Sequence, residues 1–329
     1  MKKKWLIRLV FSVLTLLIVS ILSFMIIEFA PGSPISRYAD NPKITSADRE
    51  RIIRHLGLDK PTSVRYFIWL KNVLRGDFGL SYMTGRPVLT EILARLPATL
   101  KLMLFSFFIS VAFAIPIGIY AAMRRNSLPD VLISFISYLG ISLPSFWLGL
   151  LLIYIFAVKL QLLPAGGQLT PWFDSSAFPL PVRPAAVFWE HLRHLLLPAA
   201  TLSFGNIARW CQYLRSSLLE TINENYIRTA RAKGLNSRTV VYKHALRNAI
   251  TPLITVIGLN MPAFFAGAVI TEQIFSWPGM GQLFITAVFA RDYQVIMGIT
   301  IITAAMVLLG NFLSDILYAV FDPRVEYRG

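Results

Sequence analysis

Tyr226-Ile-Arg-Thr-Ala-Arg-Ala-Lys-Gly234, with Lys243-His-Ala-Leu-Arg-Asn-Ala-Ile-Thr-Pro252 behind it, is a basic segment set between two apolar runs, residues 195–214 and 248–271. Residues 216–233 have a helix-forming composition, and Gly234 is placed to take the left-handed conformation that ends a helix. Ser237 is then placed to cap a second helix that runs to Ile250 and enters the next apolar run. Helix connections in bundles usually take about 2–8 residues, whereas 33 residues lie between these two runs. The predicted product is a hairpin-like knob presenting Arg228, Arg231, Lys233 and Arg238. A polytopic membrane protein with one such projection is built to engage a partner.

Working outward, residues 9–27, 102–123, 131–158, 248–271 and 293–314 are runs free of charge. Each is long enough for a helix rising 1.5 Å per residue to cross a hydrocarbon core of about 30 Å. The run 195–214 is interrupted only by Arg209, which is expected to snorkel toward the far interface. Six transmembrane helices follow, in an all-α polytopic membrane protein. The mean hydropathy of +0.59 and 55% hydrophobic content agree with that class.

The net charge of +15 reports orientation rather than nucleic-acid binding. With the N-terminus cytoplasmic, residues 1–8, 124–130, 215–247 and 322–329 hold 15 Lys and Arg, against 4 in the outer loops 159–193 and 272–292. This is the positive-inside bias of a multi-pass cytoplasmic-membrane protein with both termini inside. Segment 31–97 adds 11 more outside, but it is too long for the rule to operate. The first apolar run has no A-x-A site after it, so it is expected to stay as an uncleaved span.

Three domains are expected: residues 1–30 with the first span, an external helical cap over 31–97, and a core over 98–329 whose coupling loop is 215–250. In the cap, Thr45-Ser46 is placed to start a helix reaching His55, residues 62–74 form an amphipathic second helix, and residues 88–96 lead into span two. Residues 159–193 carry five prolines and Gly166-Gly167, and are expected to be irregular. Within the spans, Asn206, Asn260 and Asn311 are candidates for a water-lined pathway, with Pro262 beside Asn260 freeing backbone carbonyls.

Catalytic chemistry finds no support. There is no G-x-x-x-x-G-K-[ST] loop and no G-x-S-x-G elbow. His191-x-x-His194, expected in a loop beside Glu190, is too isolated for a metal site. The single Cys211 makes no intrachain disulfide. Neither catalytic residues nor metal ligands are assigned. Glu28 and Asp315 fall near opposite membrane faces, so the spans offer no carboxylate relay of the kind a self-sufficient secondary transporter needs.

Several blocks resemble the B-type permease subunit of dipeptide/oligopeptide ABC importers. Besides residues 226–234, they are Leu56-Gly-Leu-Asp-Lys-Pro61, Gly76-Asp-Phe-Gly79 and Arg95-Leu-Pro97; Ile141-Ser-Leu-Pro-Ser-Phe-Trp-Leu-Gly149 and Leu163-Pro-Ala-Gly-Gly167; Phe275-Ser-Trp-Pro-Gly-Met-Gly281 with Arg291-Asp292; and Asp322-Pro-Arg324. The resemblance covers essentially the whole chain. It implies a homologous C-type permease partner, two ATP-binding subunits that carry the ATP and magnesium, and an extracytoplasmic solute-binding protein met by the external cap. No cofactor is implied on this chain itself, and its remaining partner is membrane lipid. The ATPase contact falls on Tyr226, Arg228, Thr229, Ala230, Arg231, Ala232, Lys233, Gly234, Leu235 and Arg238. Where the wider superfamily has Glu-Ala-Ala before the glycine, this chain has Arg228-Thr229-Ala230, so no glutamate contact is carried over. The implied cargo is a short peptide; similar machines carry nickel, glutathione or oligosaccharides.

Overall fold

The computed structural model describes residues 2–29, 59–177, 179 and 182–321, with side chains of 2–9, 259–267 and 313–321 outside the description. The helix expected from Thr45 to His55, the first half of block 56–61 and the Asp322-Pro-Arg324 block lie outside the described residues. Those described are almost entirely helical; the β pairing present is an isolated antiparallel bridge, Leu80 to Pro87. They divide into two compact units, the first made of residues 1–97 and 279–308 and the second of 98–278 and 309–329.

In the first unit, α1 (Lys2–Phe29) precedes α2 (Thr62–Val73), the amphipathic helix expected in the cap. Phe24 meets Tyr66 edge-on at 5.4 Å, and the Arg65 guanidinium donates to Glu28. The first turns of α3 (Val88–Met123), which continues unbroken into span two, pack Val88 and Ile92 against α10 (Met280–Ala290) and α11 (Tyr293–Phe321). Gly298 makes that approach possible: a Cβ there would stand 2.7 Å from Val88 Cγ1.

Five of the six apolar runs fall inside single helices. Span three does not. α4 (Leu128–Ser142) ends at Leu143, whose backbone is extended, and α5 (Ser145–Leu152) restarts after Pro144 with a 107° bend between the two arms. Pro144 disfavours helical backbone at Leu143 and offers no N–H of its own. The second arm then widens into a π-helical stretch, Ile153–Lys159. The run expected as one span over 131–158 is therefore a bent pair of helices.

The second unit is organised on α6 (Arg183–Ile222), 40 residues or about 60 Å long. It begins within the stretch expected to be irregular, which shortens that loop and places His191 and His194 on a helix. α6 packs Trp210, Leu214 and Leu218 against Met103, Ala114 and Ile119 of α3, with the Phe107 ring 5.9 Å from Trp210. A Cβ on Gly118 of α3 would come within 3.0 Å of the Cys211 carbonyl oxygen, so glycine sets this spacing. Gly140 does the same for α4 against Phe204 and Ala208.

Candidate functional site: the basic knob between two long helices

The knob is built differently from one continuous helix ending at Gly234. α6 stops at Ile222, and Asn223 and Glu224 form a break before α7 (Asn225–Ala232) begins. Glu224 has extended backbone, so the chain turns before the basic block starts. α7 is two-faced. Ile227 and Ala230 are buried with Leu214, Leu218, Val240, Val241 and Ala245. Tyr226, Arg228, Thr229, Arg231, Ala232, Lys233, Leu235 and Arg238 are exposed. Of the residues expected at the contact, only Ala230 is turned into the core.

Gly234 ends the turn at φ +78, as its position suggested, and its N–H donates to the Arg231 carbonyl at 2.9 Å. The next cap is Asn236 rather than Ser237: its side-chain oxygen accepts from the Thr239 N–H at 2.7 Å, and α8 (Ser237–Thr239) starts after it. Asparagine is an equally good cap one residue earlier. A π-helical stretch, Val240–Ala245, joins α8 to α9 (Leu246–Ile274). The knob is fastened to α9 by Asn248, whose amide donates to the Tyr226 hydroxyl at 2.7 Å.

Among the described residues no ion pair involves Arg228, Arg231, Lys233 or Arg238. Such a surface, rigid behind and cationic in front, fits an acidic or carbonyl-rimmed groove on another protein.

Residues 114–327 match the family described as binding-protein-dependent transport system inner membrane component, and residues 1–103 match its N-terminal companion. The chain belongs to this family of membrane permease components. It is 45% identical over 321 residues to the oligopeptide transport system permease protein AppB of Bacillus subtilis, covering 97% of this chain and 98% of that one. It is 37% identical to the dipeptide transport system permease protein DppB of Escherichia coli over 320 residues, 94% of each chain. Among solved structures, inward-facing MetNI methionine ABC transporter matches with a TM-score of 0.56 at 17% identity, over 70% of this chain and 96% of that one. That likeness establishes the membrane-subunit fold.

The blocks that carried the family resemblance meet in pairs in this permease. In the second unit, Gly167 N–H donates to the Phe275 carbonyl at 2.8 Å, and a Cβ on Gly166 would lie 2.2 Å from the same oxygen. Gly149 lies against the Phe275 ring. In the first unit, Ser81 Oγ and the Met83 N–H donate to Asp292 Oδ2 at 2.6 and 3.0 Å, and Gly79 abuts Gln294.

Asn206 donates to Leu202 O of its own helix at 3.0 Å, and Asn311 is exposed on α11. The side chains of Asn260 and Pro262 lie outside the described residues, although the α9 backbone runs through both without a break. His194 Nδ1 lies 2.8 Å from the Gly166 carbonyl, and His191 Nδ1 2.8 Å from Val187 O. His194 thus supports the Gly166 loop.

Two buried charges were missed in the sequence. Asp130, 2% exposed, takes a bidentate pair from Arg215 Nε and Nη2 at 2.6 and 2.7 Å and a third bond from Asn126 N–H. Breaking such a pair from one side typically costs about 3–5 kcal/mol. It ties the start of α4 to α6, two turns before the knob. Glu272 is fully buried near the end of α9 and accepts from Thr99 Oγ1 at 2.6 Å. The signal for Asp130 was present: one acidic and one basic residue at the same predicted membrane face.

Proposed function

We propose that this chain is one of two transmembrane halves of an ATP-driven importer for di- and oligopeptides. The observation that carries the reading is α7: a short cationic helix clamped by Ile227 and Ala230 to the ends of two membrane helices, its outer face unpaired. The names of its full-length relatives, oligopeptide and dipeptide permeases, support peptide as the cargo over nickel, glutathione or oligosaccharides.

In this reading the chain crosses the cytoplasmic membrane six times with both termini inside, the bent α4–α5 pair serving as one crossing. It pairs with a homologous C-type permease. Two ATPase subunits bind ATP and magnesium and hydrolyse the nucleotide, and an extracytoplasmic protein delivers the peptide. The cationic face of α7 seats in a groove of one ATPase. When the ATPases close, the load enters at α7 and passes into α6 and α9, because Ile227 packs on Leu214 and Leu218 while Tyr226 is bonded to Asn248.

Gly234→Val tests this. An added Cβ would meet nothing within 4 Å, so the whole effect is backbone strain at φ +78, where a β-branched residue is a true outlier costing roughly 1–3 kcal/mol. The expected outcome is normal membrane insertion, with ATP hydrolysis no longer linked to peptide uptake in proteoliposomes. Unaltered uptake per ATP would overturn the docking role.

A further inference from the structure

α6 has a second face, turned away from α3 and bordered by α4, where a Cβ on Gly205 would lie 3.6 Å from the Gly140 carbonyl oxygen. Trp210, Leu214 and Leu218 turn one side of the helix into the α3 contact. About 100° per residue places Gly205, Arg209, Gln212, Tyr213 and Ser216 together on a stripe turned away from it. Tyr213 and Ser216 are exposed, and Gly205, Arg209 and Gln212 are half-buried.

Arg209 does not snorkel toward the knob end of α6. A Cβ on Gly205, one turn back along the helix, would stand 3.9 Å from Arg209 Nη2, so the guanidinium lies beside Gly205 and points away from the inner interface. Arg209 Nε and Gln212 Nε2 are both buried without a hydrogen-bond partner among the described residues. No carboxylate among them pairs with Arg209. Arg215, two turns further on, is by contrast fully engaged by Asp130.

An intramembrane cation with no carboxylate partner among the described residues points to a solute pathway. Guanidinium offers donors only, in a planar fork that matches a carboxylate, and a neighbouring amide adds one more donor. We propose that Arg209, with Gln212, binds the C-terminal carboxylate of a peptide during its passage through the membrane. This rests on the peptide-importer reading and names a cargo contact within it. Peptides of varied sequence share this one group, so a fixed fork suits a pathway that must accept many side chains.

The test uses the complete importer in proteoliposomes: this chain, its permease partner, both ATPases and the solute-binding protein. Initial uptake of trialanine is compared with that of trialanine amide for wild type, Arg209→Gln, Arg209→Lys and Gln212→Leu. Taking the acid-to-amide ratio within each variant cancels the preference of the solute-binding protein, which is the same throughout. A lost charged hydrogen bond predicts that Arg209→Gln lowers this ratio about tenfold or more. Arg209→Lys should keep most of it, and Gln212→Leu should fall between. An unchanged ratio in Arg209→Gln overturns the proposal, whether both rates persist or both fall together. Equal loss would assign Arg209 to a carboxylate of the partner permease. If Arg209→Gln no longer copurifies with that partner, the Gln212→Leu ratio decides, with a fall supporting the site and no change overturning it. Failure of the wild-type importer to carry either peptide with ATP would instead defeat the peptide-importer reading.

Discussion

Gly166 and Gly234 need glycine for different physical reasons. At Gly234 the space is empty and only the backbone conformation is demanding. At Gly166 a Cβ would sit 2.2 Å from the Phe275 carbonyl oxygen, a contact the backbone must move to relieve. Gly166→Ala is therefore expected to destabilise by about 1–3 kcal/mol, the usual range for forced overpacking. It should also break the Gly167 to Phe275 bond, read as a lower thermal midpoint in detergent and faster amide exchange at residue 167. A midpoint equal to wild type would show that the loop has slack which the geometry denies. Both glycines were visible in the sequence, but the reason for Gly166 was not, since Phe275 lies more than a hundred residues away.

At the level of elements, the loop that carries Gly166 and Thr170 is pinned to α6 by Glu190. The Thr170 hydroxyl donates to its carboxylate, and the Thr170 N–H and His194 add to that. Chiefly the Thr170 hydroxyl, against the opposing effect of burial, holds Glu190 below its ordinary 4.5. A depressed carboxylate stabilises the fold fully above its unfolded value and loses that contribution as pH falls through the folded one. Amide protection across residues 166–170 should thus be flat from neutral pH down to about 4.5 and decline below it. Hydrogen exchange with mass spectrometry would show the decline, and Glu190→Gln should remove it. A decline of the same size in Glu190→Gln would place the titration elsewhere.

The elements also show where sequence reading stops. Apolar runs and the knob were legible because hydrocarbon thickness and positive-inside bias act on composition alone. Pro144 and Pro262 looked alike on paper, yet one breaks its helix through 107° and the other leaves α9 continuous. A proline only biases the residue before it away from helix, so local sequence alone does not decide between the two outcomes. Arg209 was misjudged for a related reason: reach along the helix allowed either direction, and the structure turns the guanidinium back toward Gly205. The Asp130–Arg215 pair spans 85 positions and needed the α4–α6 contact to be seen.

For the whole molecule, the proposed reading predicts dependence on partners. Purified and reconstituted alone, the chain should support no flux of trialanine, because half a pathway faces lipid on its open side. Added ATPases without the second permease should leave that result unchanged. Solute flux through this chain alone would favour a self-sufficient transporter and remove the need for a motor.

One feature near the knob bears on how a stroke is received. Val240–Ala245 is wound more loosely than the α-helix it feeds. Each residue in an α-helix advances the side-chain direction by about 100°, so tightening this stretch into regular α form would swivel Tyr226 and the cationic face against α9 without unravelling either helix. On the proposed reading this stretch is a torsional joint between the surface that is pushed and the beam that must tilt, and it turns only when the Asn248 to Tyr226 bond lets go.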